Sequence, residues 1–184
     1  MSDGINLALV RQVADRQEIT TVVHRYCRAL DRRDRALLES VFHPDSTHEM
    51  GGYVGPSAQF CQFAFDVLSE LETTQHFLGN VQIELDGDTA YVESYFQAYH
   101  RVAADQAATG SFEAHTPGVD EDVFICGRYI DRFERRGGVW KVAHRTGVQD
   151  WCRWEAADAR GWPANARGPV GTRDRTDRLY TAGR

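Results

Sequence analysis

The sequence predicts an α+β fold in which three amphipathic helices lie across a strongly curved antiparallel sheet. Two observations carry this. Apolar residues recur at helical spacing through residues 15–71 and then switch to a period of two from residue 75 onward. The turns "DGD" at 86–88 and "RGG" at 136–138 then separate runs rich in Val, Ile, Tyr, Phe and Trp, which marks two hairpins because glycine supplies the positive φ of a tight turn. Helices followed by long antiparallel strands pack as layers and leave a pocket against the concave face of the sheet.

The first helix spans residues 15–30, with Asp15 as cap and Glu18 as its reciprocal partner. Ile19, Val22, Val23, Tyr26, Cys27 and Leu30 form its apolar stripe. "DRRD" breaks it, and Asp34 caps a short second helix carrying Leu37, Leu38, Val41 and Phe42. "STHEMGGYVG" is extended and leads through Pro56 and Ser57 into a third helix with the stripe Phe60, Phe63, Ala64, Val67, Leu68 and Leu71. Four strands follow, over 75–86, 89–103, 121–135 and 139–153, with a long loop at 104–120. One domain of residues 1–155 and a Gly-, Pro- and Arg-rich tail of 156–184 result, the tail lying on the surface or on a partner subunit.

With 184 residues and a formal net charge of -6, the chain can bury a core and is not built for nucleic acid. No run reaches the length of a membrane span and no secretory leader is evident, so a cytoplasmic protein is expected. Cys27, Cys61, Cys126 and Cys152 stand far apart and read as reduced thiols. The seven histidines show no metal spacing, and nucleotide, zinc-protease and GxSxG signatures are absent, so no metal and no cofactor is expected.

Polar residues interrupt places where the layer picture wants apolar ones. Asp31 stands at the C-terminal end of the first helix, where the dipole disfavours a carboxylate and calls for a donor. Alone, it reads first as a solvated turn residue. His76 opens a strand in "TTQHFLGN", and a lone histidine there is commonly structural. His100 shares the even, apolar face of its strand with Ala90, Val92, Ser94, Phe96 and Ala98. Arg145 shares the odd face of the last strand with Ala143, Gly147, Gln149 and Trp151, and pointing inward it would need an anion or a substrate oxygen.

Over roughly residues 15–155 the chain resembles the SnoaL-like branch of the nuclear-transport-factor-2-like superfamily. "TTQHFLGN" is similar to the segment around a catalytic histidine of scytalone dehydratase, "YCRALDRRD" to the region of its pocket aspartate, and His100 in "SYFQAYHRV" falls at its second histidine. "RRGGVWKVAHR" is similar to the closing strand of hexachlorocyclohexane dehydrochlorinase, with Arg145 at its pocket arginine. That enzyme and the bile acid dehydratases carry an Asp–His pair, here Asp31 and His76, and Tyr26 matches the bile acid enzymes. Tyr129 stands where scytalone dehydratase has an asparagine, and Met50 where it has a tyrosine, with His48 and Tyr53 nearby.

The resemblance implies a cone-shaped sheet capped by helices and a cofactor-independent lyase. His76 would be the base, Asp31 its orienting carboxylate, and Tyr26, His100 and Arg145 the stabilisers of developing charge or of a leaving oxygen. The substrate would be a small aromatic or polycyclic alcohol held by His48, Met50, Tyr53, Phe77, Tyr129 and Trp151. Dehydration and carbon–carbon cleavage, such as deformylation of lignin-derived diaryl compounds, both fit this base. The alternatives are an isomerase or cyclase, and a binding or assembly module such as the small subunit of a ring-hydroxylating dioxygenase. Tyr91, Tyr95 and Tyr99 crowd the other face of their strand, which predicts a homo-oligomer, a dimer or trimer.

Overall fold

A computed structural model describes residues 6–104, 112, 115–158 and 167–182. Helix α1 (Leu7–Asp31) runs into α2 (Arg35–Ser40), β1 (Phe42–Met50) and β2 (Tyr53–Pro56). Helix α3 (Ser57–Ser69) precedes the long strands β3 (Thr73–Asp86), β4 (Thr89–Val102), β5 (Glu121–Arg136) and β6 (Val139–Ala156), and α4 (Arg178–Thr181) lies in the tail. The six strands form one curved, unclosed sheet in the order β2-β1-β6-β5-β4-β3. The four long strands are antiparallel neighbours, as expected, whereas β1 runs parallel to β6. Most of the predicted 104–120 loop lies outside the described residues.

α1 starts two turns earlier than its periodicity indicates. Asn6 caps it, its side chain accepting from the backbone N–H of Ala8 at 3.1 Å and Leu9 at 3.2 Å. Asp15 is therefore not a cap. It is buried and accepts from Trp140 Nε1 at 3.0 Å, Arg135 Nη1 at 2.7 Å and Arg11 Nε at 3.2 Å. The first turns carry Leu7, Leu9, Val10 and Val13 into solvent, so no inward stripe signals them. At its other end α1 stops where predicted. Arg33 takes a left-handed φ of 49°, and the backbone N–H of Asp34 closes back onto Ala29 O at 2.9 Å. Asp34 then caps α2 as expected, accepting from Leu37 N at 3.2 Å. Asp31 is thereby fixed as the last residue of α1, facing β3.

The core lies between α1, α3 and the concave sheet face, with Ile19, Val23, Leu38, Phe133 and Trp140 fully buried. Two irregularities set which residues reach it. β5 and β6 slip by one residue between Cys126 and Gly127, leaving Asp150 without an opposite number. At Gly147 a Cβ would lie 2.5 Å from Met50 Cγ, so only glycine lets Met50 cross the strand there. The four cysteines are free thiols, three buried and Cys152 exposed. Among the described residues no helix is long and apolar enough to cross a membrane.

Candidate active site

The end of α1 and the start of β3 bring Asp31 and His76 together. His76 Nδ1 lies 2.7 Å from Asp31 Oδ1, and both side chains are nearly buried. The same carboxylate accepts the His76 backbone N–H at 2.9 Å and the Thr74 hydroxyl at 3.1 Å. Three donors thus answer the helix-end carboxylate and fix both the position and the ring plane of the histidine. With Nδ1 committed to Asp31, the nitrogen left for chemistry is Nε2.

His76 opens onto a cavity of about 380 Å³ between the helices and the sheet. Phe60, Phe63 and Leu68 of α3 form its apolar wall, and Met50 and Gly147 close one side. Beside His76, its polar members are His100, Tyr26, Tyr129 and Gln149. The His100 ring stands perpendicular to His76 with centroids 5.7 Å apart. Burial, reinforced by His76 and Arg173, holds its pKa well below the ordinary histidine value and so favours the neutral imidazole. Burial raises the phenol pKa of Tyr26 and Tyr129 well above the usual value, although Arg145 opposes this. Both phenols therefore stay protonated.

The predicted residues divide into three groups. Tyr26, His76, His100, Met50 and Tyr129 line the cavity, with Asp31 directly behind His76. His48 and Tyr53 lie one layer further back. His48 stacks on Phe60 with centroids 3.5 Å apart, and burial drives its pKa down to about 2. Tyr53 stacks on Phe63 and donates its hydroxyl to Pro56 O at 2.7 Å. Phe77 and Trp151 face outward, 66% and 50% exposed. Phe77 follows His76 on a pleated strand and so takes the opposite face. Trp151 lies past the slip at Asp150, which reverses the alternation and turns Trp154 inward instead.

Arg145 also departs from expectation. It points inward, but its Nε and Nη2 are both held at 2.6 Å by Asp131, its neighbour across β5–β6, and both side chains are fully buried. Its guanidinium lies 4.0 Å from the ring centroid of Tyr26 and 4.4 Å from that of Tyr129. The anion it requires is thus supplied by the protein, and Arg145 supports the two tyrosines from behind instead of lining the cavity.

The sequence reading missed Phe112. The sole aromatic of its loop, it is buried with its ring 4.5 Å from that of His100, and it lines the cavity. Among the described residues, no three His, Cys, Asp or Glu side chains group as metal ligands.

The chain matches the SnoaL-like domain model over residues 11–146. It is 34% identical over 140 residues to an uncharacterized Mycobacterium tuberculosis protein, Rv2910c, covering 74% of this chain and 86% of that one. Its fold is similar to a type 2 hexachlorocyclohexane dehydrochlorinase, LinA, with a TM-score of 0.67 and 21% identity, covering 84% of this chain and 97% of that one. It is also similar to a Novosphingobium aromaticivorans protein with a provisional scytalone dehydratase assignment, at TM-score 0.62 and 18% identity, covering 82% and 96%. The cone-like sheet, the helices across it and the match over most of its length make this chain a member of the SnoaL-like family.

Proposed function

We propose that this protein is a cofactor-independent lyase acting on a small aromatic or polycyclic alcohol, with His76 as general base and Asp31 as its orienting carboxylate. The observation that carries the reading is the 2.7 Å Asp31–His76 contact at the edge of a largely apolar cavity. An acceptor nitrogen in such a place is suited to take a weakly acidic proton from a ring-shaped ligand. The fold neighbours include a dehydrochlorinase and a protein assigned as a dehydratase, which is consistent with elimination chemistry.

In the elimination, His76 Nε2 removes a proton from the carbon next to the one bearing the hydroxyl. The C–H electron pair becomes the new double bond and the C–O bond breaks. Tyr26 and His100 donate hydrogen bonds to the departing oxygen. The proton on His76 passes to that oxygen, so water leaves and the imidazole returns to neutral. Arg145, paired with Asp131, orients Tyr26 and Tyr129 through their ring faces without touching the ligand. If His76 instead takes the proton of the hydroxyl, the O–H electron pair becomes the carbonyl of a released aldehyde, the C–C bond breaks, and the carbon left with the C–C electron pair takes the proton back from His76.

The test is a panel of aromatic and polycyclic alcohols followed for new conjugated absorption and for released formaldehyde. Wild-type protein should convert at least one of them, and the signal should vanish with His76→Ala. Equal conversion by both proteins would end this reading.

A further inference from the structure

The cavity extends well past its base. It runs across the sheet from His76 on β3, past Ala98 on β4 and Ile125 on β5, to Gln149 on β6 and Met50 on β1. His76 and His100 hold one side, their ring centroids 5.7 Å apart. Neighbouring strands lie about 4.8 Å apart, so β6 is about 14 Å from β3 measured along the sheet. A fused-ring ligand that meets His76 with one edge therefore turns its opposite edge towards β6.

Gln149 is the polar side chain on that far side, and the backbone is built to put it there. β6 turns Arg145 and Gly147 inward, and Gln149 follows at the same period of two. It pairs with Gly127, where a Cβ would lie 2.0 Å from Val148 O, so only glycine lets β6 come this close. The slip at Asp150 follows immediately and reverses the alternation, so Gln149 is the last residue to face the cavity in that phase. Around it the lining is Met50, Gly51, Ile125 and Val148, and its amide makes no hydrogen bond to any described residue. Gln149 is exposed, so this amide exchanges water for a ligand atom without breaking a bond inside the protein. An amide offers two donors and one acceptor oxygen, and no charge. Among the described residues no Lys, Arg, Asp or Glu lines the cavity, so a neutral oxygen suits this place better than an ionised one.

We propose that Gln149 is a specificity-determining residue, hydrogen-bonding a hydroxyl or carbonyl oxygen on the substrate edge opposite the one that meets His76. The substrate is then a fused-ring alcohol with oxygen at both ends of its long axis. This rests on the reading of the cavity as the substrate site.

The test is calorimetric binding of 2-naphthol, with one oxygen, and 2,6-dihydroxynaphthalene, with one at each end, to wild-type protein, Gln149→Leu and Gln149→Ala. Wild type should bind the diol more tightly by about five- to twentyfold, one neutral hydrogen bond on top of the about twofold that symmetry alone gives a diol. Both variants should bring the ratio down to about twofold or below, since neither side chain can pair with the far hydroxyl. Agreement between the two separates the lost amide from the bulk of leucine. A wild-type ratio of about twofold or less, or a larger ratio that both variants keep, would overturn the proposal and leave the cavity as the ring site. A wild type that binds neither ligand would end both readings. No turnover is needed, so failure of His76 as the base would leave these ratios as they are.

Discussion

At the residue scale, the Asp31–His76 pair and the two buried histidines make separable predictions. Asp31→Asn keeps the size but can present its amide donor to Nδ1, which turns the ring to the wrong tautomer and removes the charge that stabilises the imidazolium. Asp31→Asn and His76→Ala should each lower turnover by about two to four orders of magnitude, the range of a positioned base. The double variant should be little worse than the poorer single one, because the two act as a unit. Steady-state rates with near-ultraviolet dichroism as a folding control check this, and near-normal turnover in Asp31→Asn would make the pair structural. His48 and His100 are held neutral in the fold, while the unfolded chain takes up protons near the ordinary histidine value. Stability is therefore fully present above about pH 6.5 and falls as pH drops below it, by about 2 kcal/mol at pH 5 for His48, whose folded pKa is about 2, with a further loss from His100. Urea unfolding at pH 7.5 and pH 5 should show this loss, and His48→Phe should remove the part of it, about 2 kcal/mol, that His48 contributes.

At the element scale, periodicity read correctly along the long stripes that meet the core, while Phe42, read as part of the second helix, opens β1 after α2 ends at Ser40. The stripe from Ile19 to Leu30, the caps at α2, and both hairpins are local signals, and the structure has them where the sequence places them. The failures lie where a distant partner or an added residue decides. Asp15 looks like a cap until Trp140 and Arg135 arrive from the far end of the chain, and Trp151 looks inward until the slip at Asp150 reverses its strand. Asp131 had no local mark as the partner of Arg145, and Phe112 sits in a segment without any period. The Asp31–His76 pair was legible through the resemblance of two short motifs, since neither residue stands out alone. The two candidate caps can be ranked by experiment. Asp15→Ala leaves the Trp140 N–H and the Arg135 guanidinium without their acceptor and should cost about 1–3 kcal/mol. Asn6→Ala removes an exposed cap and should cost about 0.5–1 kcal/mol. Thermal unfolding of both variants checks this order, and a larger loss for Asn6→Ala would contradict the buried role of Asp15.

At the scale of the whole molecule, the outer face of the sheet carries Phe77, Tyr91, Tyr95 and Trp151, each at least 42% exposed, whereas Tyr99 is tied to Asp122 through its hydroxyl at 2.7 Å. Large rings at this exposure suit association between copies, and a homo-oligomer is the expected outcome at micromolar concentration. Light scattering on wild type and on Tyr95→Glu checks it, since a charge in that face should shift the larger species to monomer. A wild-type monomer would remove the prediction. The cavity has a consequence of another kind. Its base is held by backbone and strand, through the His76 N–H, Thr74 and the end of α1, while part of its apolar wall is drawn from α3 and a connecting loop. Substitutions at Phe60, Phe63 or Phe112 reshape the space for the ligand without disturbing the hydrogen bonds that aim the imidazole. A lineage built on this plan can therefore change what it accepts by drift in the wall, one side chain at a time, while the proton-transfer apparatus is inherited intact.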